Sequence, residues 1–149
     1  MAEEEKPRLL IVDDEPRIRE MLARHLRLTG YEINNDPANG EEALEVLARQ
    51  RIEVVITDIM MPKMDGVELL RRIKKEYPMI QVIIITGYVN MENLLDAMRH
   101  GASACIFKPI EDMAELETAV AKAVDHLAGW QQKLKMLMGM KPTEGEDRQ

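Results

Sequence analysis

The chain holds 149 residues, with 27 acidic and 20 basic side chains, a formal charge of −7 and only 3% aromatic residues. That length suits one domain around an aliphatic, methionine-rich core, and the acidic balance argues against direct nucleic-acid binding. No apolar stretch reaches the roughly 18–20 residues of a membrane span. The single cysteine, Cys105, excludes an internal disulfide, which fits a reducing cytoplasm.

Residues 1–7 are acidic and lack the basic flank and apolar core of a signal peptide, so they read as a disordered lead-in. Strand-like runs follow at 8–12, 31–35, 53–57, 80–85 and 103–107. The first, third and fourth are almost unbroken aliphatic, as expected of strands covered on both faces. The second, Tyr31-Glu32-Ile33-Asn34-Asn35, alternates and belongs at a sheet edge. Between the runs lie helix-period segments. Pro16 opens the first, with Ile18, Met21, Leu22, His25 and Leu26 on one face, and Gly30 ends it. Asn39 with Glu42, Asp65 with Glu68 and Asp112 with Glu115 have capping-box spacing. Asn90 caps the fourth helix and Gly101 closes it. Met21, Met98 and Met113 read as core filler, and Cys105 as a small buried core residue rather than a redox group.

Five strand–helix units with right-handed crossovers make an open parallel sheet with helices on both faces. Polar groups just beyond the carboxyl ends of its strands then share one edge. Here those groups are Asp13 and Asp14, Asp58, Thr86, and Lys108. Two carboxylates about 4 Å apart repel by roughly 4 kcal/mol at an effective dielectric near 20. Lys108 offsets part of that, and a divalent cation is the natural remainder. Hard oxygen donors in a half-open site suit Mg²⁺, which keeps several waters and takes one or two carboxylates. Asp58 is then placed as a carboxylate nucleophile for phosphate, with Mg²⁺, Lys108 and the Thr86 hydroxyl neutralising and positioning the transferred group.

The segments Val12-Asp13-Asp14-Glu15, Thr57-Asp58-Ile59-Met60-Met61-Pro62-Lys63-Met64-Asp65-Gly66, Thr86-Gly87 and Lys108-Pro109 occur in that order, each at a strand end. Over residues 7 to 127 the chain resembles a receiver domain of a two-component response regulator. The resemblance implies a flavodoxin-like (βα)5 sheet with strand order 2-1-3-4-5 and an extended C-terminal helix. It implies that a sensor histidine kinase supplies the phosphate that Asp58 accepts. It also implies that Asp14 and Asp58 ligate Mg²⁺, that Asp13 acts mainly through water, and that the Met60 carbonyl completes the protein ligands. Lys108 would contact the phosphoryl group, Thr86 would report it, and the bond before Pro109 would be cis. Many receivers carry Tyr or Phe three residues before the lysine. Here Cys105 stands there, so the aromatic half of the usual switch is missing. Met60 and Tyr88 occupy two variable positions near the phosphate, and their bulk is expected to slow hydrolysis.

Leu116, Val120, Ala123, Leu127, Trp130, Leu134 and Leu137 alternate spacings of four and three, a heptad seam. Its first half fits a helix packed on the sheet. Leu127, Trp130, Leu134 and Leu137 fit a dimer seam, whereas Gly129 leaves open a break that folds 130–138 back on the domain. The boundaries expected are 8–127 for the receiver, 128–140 for a helical extension or linker, and 141–149 for a disordered tail. Met136, Met138 and Met140 could be filler or a partner surface.

The function expected is a phosphorylation switch, not an enzyme with turnover: a stand-alone receiver, or one cut from a longer regulator. Its partners would be a kinase and a second copy, met through the fourth-helix and fifth-helix face and the C-terminal helix. Two alternatives remain. One is an aspartyl-phosphate phosphatase, although such enzymes place nucleophile and acid two apart on the first strand. The other is a dimerisation module with a vestigial site.

Overall fold

The computed structural model describes residues 6–87 and 90–139. Tyr88, the lead-in through Glu5, Met140 and the 141–149 tail lie outside the described residues. Five parallel strands, β1 (Arg8–Val12), β2 (Glu32–Asn34), β3 (Val54–Thr57), β4 (Gln81–Thr86) and β5 (Ala104–Phe107), stand in the order β2-β1-β3-β4-β5. Five helices alternate with them: α1 (Pro16–Leu28), α2 (Gly40–Leu47), α3 (Gly66–Glu76), α4 (Met91–Arg99) and α5 (Met113–Gly139). This is the flavodoxin-like order expected.

The aliphatic runs explain the layering. In β1, Leu9 and Ile11 point to one face, where Leu22, Leu26, Leu116 and Val120 of α1 and α5 cover them. Leu10 and Val12 point to the other, against Val46, Leu69, Leu70 and Ile73 of α2 and α3. Strands β3 and β4 repeat the alternation and are buried throughout. Each fully buried Leu or Ile contributes about 1.5–3 kcal/mol of apolar transfer. The alternating second run sits at an edge, and only three of its residues pair with β1.

The helix starts are built by their caps. Asn39 Oδ1 accepts from the Glu42 N–H at 3.0 Å, and Glu42 Oε1 accepts from the Ala38 N–H at 2.8 Å. Asp65 Oδ1 accepts from the Glu68 N–H at 2.9 Å, and Asn90 Oδ1 from the N–H groups of Glu92 and Asn93. Asp112 departs from expectation. Its Oδ1 accepts from the Ala114 N–H at 2.9 Å, and the Glu115 N–H goes to the Asp112 carbonyl at 3.2 Å.

Two methionines read as core are on the surface, Met21 at 43% and Met98 at 63% exposure. On α1 the buried stripe runs through Leu22, Ala23 and Leu26, which turns Met21 to solvent. On α4 only Ala97 is buried, so the neighbouring Met98 faces out. Met113 does pack against the α1–α5 layer. Cys105 is half-buried rather than buried, because β5 is the other edge strand.

Helix α5 runs unbroken through Gly129 to Gly139, so the fold-back is not formed. Its 27 residues span about 40 Å at 1.5 Å per residue. Leu116, Val120, Ala123 and Leu127 are buried; further along the same seam Trp130, Leu134 and Leu137 are 50%, 45% and 62% exposed. The Trp130 Nε1–H donates to His126 Nε2 one turn back at 3.1 Å.

Candidate phosphoacceptor site

In strand order 2-1-3-4-5 the crossovers reverse direction between β1 and β3, which opens a crevice beyond their carboxyl ends. Asp13 and Asp14 follow β1, and Asp58 follows β3, so the two strands flanking the crevice deliver the acidic groups. The ladder holds them level: Val12 pairs with Thr57, and the Asp58 N–H donates to the Val12 carbonyl at 3.2 Å. From the other side, Thr86 ends β4, and the Lys108 N–H donates to the Thr86 carbonyl at 2.9 Å. The Lys108–Pro109 peptide is cis.

The side chains converge. Lys108 Nζ donates to Asp58 Oδ2 at 2.8 Å, to Asp13 Oδ2 at 2.9 Å and to Glu15 Oε1 at 3.3 Å. Asp58 Oδ1 accepts from the Ile59 N–H at 2.6 Å and the Met60 N–H at 3.3 Å. Asp13 Oδ1 accepts from the Glu15 N–H at 2.9 Å. Asp14, Glu15, Asp58, Met60, Thr86, Gly87 and Lys108 line a cavity of about 290 Å³. The Asp13 and Asp58 side chains are only 3% and 8% exposed, whereas Asp14 is open to solvent.

Burial dominates the electrostatics of Asp13. Desolvation pushes its carboxyl above the ordinary 3.8, against the pull of the Glu15 N–H and Lys108. For Lys108 burial works downward, but the hydrogen bonds and charges of Asp58 and Asp13 outweigh it and hold the ammonium above the usual lysine range. One lysine faces four carboxylates. The oxygens of Asp13, Asp14, Glu15 and Asp58 that could bind a cation lie within 4.8 Å of one another. Clustered hard oxygens with excess negative charge fit a divalent cation of the Mg²⁺ type.

The loop after Asp58 explains the rest of the motif. A Cβ on Gly66 would lie 2.0 Å from the Asp58 carbonyl oxygen and 2.9 Å from Ile59 Cα. The Gly66 N–H donates to the Ile59 carbonyl at 2.8 Å. The start of α3 is thus laid directly on the phosphoacceptor segment, which only glycine permits. Lys63, at φ 70°, turns the chain within the same loop.

All four run-ends reach the one site. Glu15 and Arg19 were not singled out from the sequence. Glu15 occupies the N-cap position of α1 without capping it and turns to Lys108 instead. Arg19 donates from Nε to the Asn35 carbonyl at 3.0 Å and from Nη1 to the Asp13 carbonyl. Glu15 reaches a distant strand end and Arg19 reaches from α1 to two loop carbonyls, so no spacing motif announces either. Cys105 pairs with Ile84 and lies on the Thr86 face of the sheet, two residue pairs back. Burial and the Glu115 charge push its thiol upward from 9.0.

The chain belongs to the response regulator receiver domain family, whose model matches residues 9–121. It is 39% identical over 123 residues to the response regulator protein FleR of Pseudomonas aeruginosa, covering 82% of this chain and 26% of FleR. The chain therefore spans about a quarter of the length of that relative. A CheY-like receiver domain protein from Methanospirillum hungatei superposes with a TM-score of 0.80 at 30% identity, covering 84% of this chain and 98% of that one. The response regulator protein TrrA of Thermotoga maritima, solved in complex with Mg(2+)-BeF, gives a TM-score of 0.71 at 36% identity, covering 78% of this chain and 98% of TrrA. Receiver domains are signalling modules that histidine kinases phosphorylate and that bind Mg²⁺ at an acidic pocket. Among the described residues no helix is long and apolar enough to cross a membrane.

Proposed function

We propose that Asp58 is the phosphoacceptor of a Mg²⁺-dependent switch driven by a sensor histidine kinase. The observation that carries this is Asp58 itself. It is a nearly buried carboxylate whose Oδ2 meets Lys108 at 2.8 Å inside the acidic cluster. Asp14, Asp13, Asp58 and the Met60 carbonyl would hold the ion, and Mg²⁺ would neutralise charge on the transferred group. Asp58 Oδ2 attacks phosphorus, the bond to the donor breaks, and the donor leaves with its electron pair. Lys108 then moves from carboxylate to phosphoryl oxygen, and Thr86, buried at the end of β4, turns its hydroxyl toward the new group. With Cys105 in place of an aromatic, the signal leaves through the segment after Thr86 and α4. Met60, 52% exposed at the cavity mouth, shields the acyl phosphate from water, as Tyr88 is also expected to do; a half-life of only seconds after donor removal would oppose this.

Mg²⁺ should bind the purified chain, and beryllofluoride should bind only with it. At about 100 times its dissociation constant the ion should add roughly 2.7 kcal/mol of stability. Because Asp13 holds its proton above pH 3.8, the proton competes with the metal, and affinity should fall with pH from above that value. Titration calorimetry reads both effects. Steady turnover of a simple phosphoester would instead favour a phosphatase. Absence of Mg²⁺-beryllofluoride binding would favour a vestigial module.

The switch works by homodimerisation in this proposal. Met91, Leu95, Met98 and Phe107 leave apolar surface on α4 and β5, and the exposed half of the α5 seam continues beyond the core. Solvent-exposed apolar rows of that size favour association. Light scattering with Mg²⁺-beryllofluoride should give a dimer mass, and Leu134→Glu with Leu137→Glu should return the monomer. A monomer for the unaltered chain both with and without Mg²⁺-beryllofluoride would refute it. The setting is cytoplasmic, where histidine kinases present phosphate. Whether the receiver works alone or within a longer regulator determines its target, not this chemistry.

A further inference from the structure

We infer that Arg19 is a positioning residue for the magnesium-binding loop, an inference that rests on the Mg²⁺ reading above. The need for such a group follows from the sheet. On the β3 side the ladder supports β1 to its last residue, with Val12 opposite Thr57. On the β2 side pairing stops at Leu10 opposite Asn34, three residues short of Asp13. Beyond that point Arg19 takes over. Its Nε–H donates to the Asn35 carbonyl at 3.0 Å and its Nη1–H to the Asp13 carbonyl. One guanidinium therefore bridges the segments leaving β1 and β2, where backbone pairing has ended.

The Asp13 carbonyl shares a planar peptide with the Asp14 N–H. Fixing that carbonyl fixes the plane, and with it the position of the Asp14 Cα from which the side chain leaves. Asp14 is the most exposed of the aspartates at the site, and its side chain makes no hydrogen bond or ion pair among the described residues. The backbone is what aims it. The fixed fork of an arginine suits two acceptors on different segments, whereas a lysine offers one point donor.

Positioning and plain electrostatics give opposite signs. As a nearby cation Arg19 repels Mg²⁺, so its removal should tighten binding if charge were its whole effect. If it orients Asp14, removal weakens binding, and loss of outer-shell support of this kind costs roughly 10–100-fold in metal affinity. The test is Mg²⁺ titration calorimetry on the full chain, well below the melting temperature measured in EDTA. Arg19→Ala should raise the dissociation constant at least about 10-fold. Arg19→Lys, which keeps the charge but not the fork, should recover only part, and it carries the test with the same sign if the alanine variant does not fold. An unchanged or lower dissociation constant for both variants, beside normal Mg²⁺ binding by the unaltered chain, would overturn the role of Arg19. Failure of the unaltered chain to bind Mg²⁺ would overturn the magnesium reading and this inference with it.

Discussion

Lys108→Ala should slow phosphorylation of Asp58 by about 100-fold, the scale on which loss of one preorganised charge-stabilising donor is felt. It should also lower the stability of the metal-free protein by about 2–3 kcal/mol. Removing one partner of a buried ion pair costs roughly 3–5 kcal/mol; the lower figure allows for the open cavity beside the cluster. Lys108 is the common donor to Asp13, Asp58 and Glu15, so its loss leaves two nearly buried carboxylates facing each other. Two further signs follow. Mg²⁺ should restore more stability to the variant than it adds to the unaltered chain. Acid should narrow the gap as well: the orphaned Asp13, already raised above 3.8, would hold its proton to a still higher pH, and a raised folded-state value favours folding as pH falls. Urea melts at several pH values, with EDTA or Mg²⁺, read all of this.

Gly66→Ala should cost about 3 kcal/mol or more and weaken Mg²⁺ binding at the same time. Propensity alone points the other way, since alanine is favoured over glycine in a helix by about 1 kcal/mol. Sterics win because the added Cβ would meet backbone, 2.0 Å from the Asp58 carbonyl oxygen. No rotamer change relieves that contact, so the 58–66 loop must move. That loop also supplies the Ile59 and Met60 N–H groups that orient Asp58. A thermal melt showing the variant at or above the unaltered stability would disprove the close packing.

Much of this was legible in the sequence because its signals are local. Four residues of β3 and six of β4 are wholly buried, and unbroken aliphatic runs announce that. The acidic, hydroxyl and ammonium groups sit at run-ends, so the parallel order alone gathers them at one edge. What was less legible depends on neighbours distant in sequence. Met21 and Met98 have helical spacing suited to a core, but the rotation of α1 and α4 against the sheet turns them outward. Cys105 was expected to be buried, yet β5 is an edge strand and covers it only in part. The Asp112–Glu115 spacing suggested a reciprocal box, but Asp112 reached the nearer Ala114 N–H. The contacts of Glu15 with Lys108 and of Arg19 with two loop carbonyls join segments that the fold alone brings together. Gly129 illustrates a weak local penalty overridden by the helix around it: about 1 kcal/mol against more than two turns on either side.

Intact-mass and peptide mass spectrometry after incubation with acetyl phosphate and Mg²⁺ bears most directly on Asp58. One phosphoryl group should appear on the peptide containing Asp58, fail to form when EDTA is present throughout and be absent from Asp58→Asn. An adduct that survives Asp58→Asn or forms equally without Mg²⁺, or no adduct under any of these conditions, would contradict the assignment of Asp58 as the phosphoacceptor.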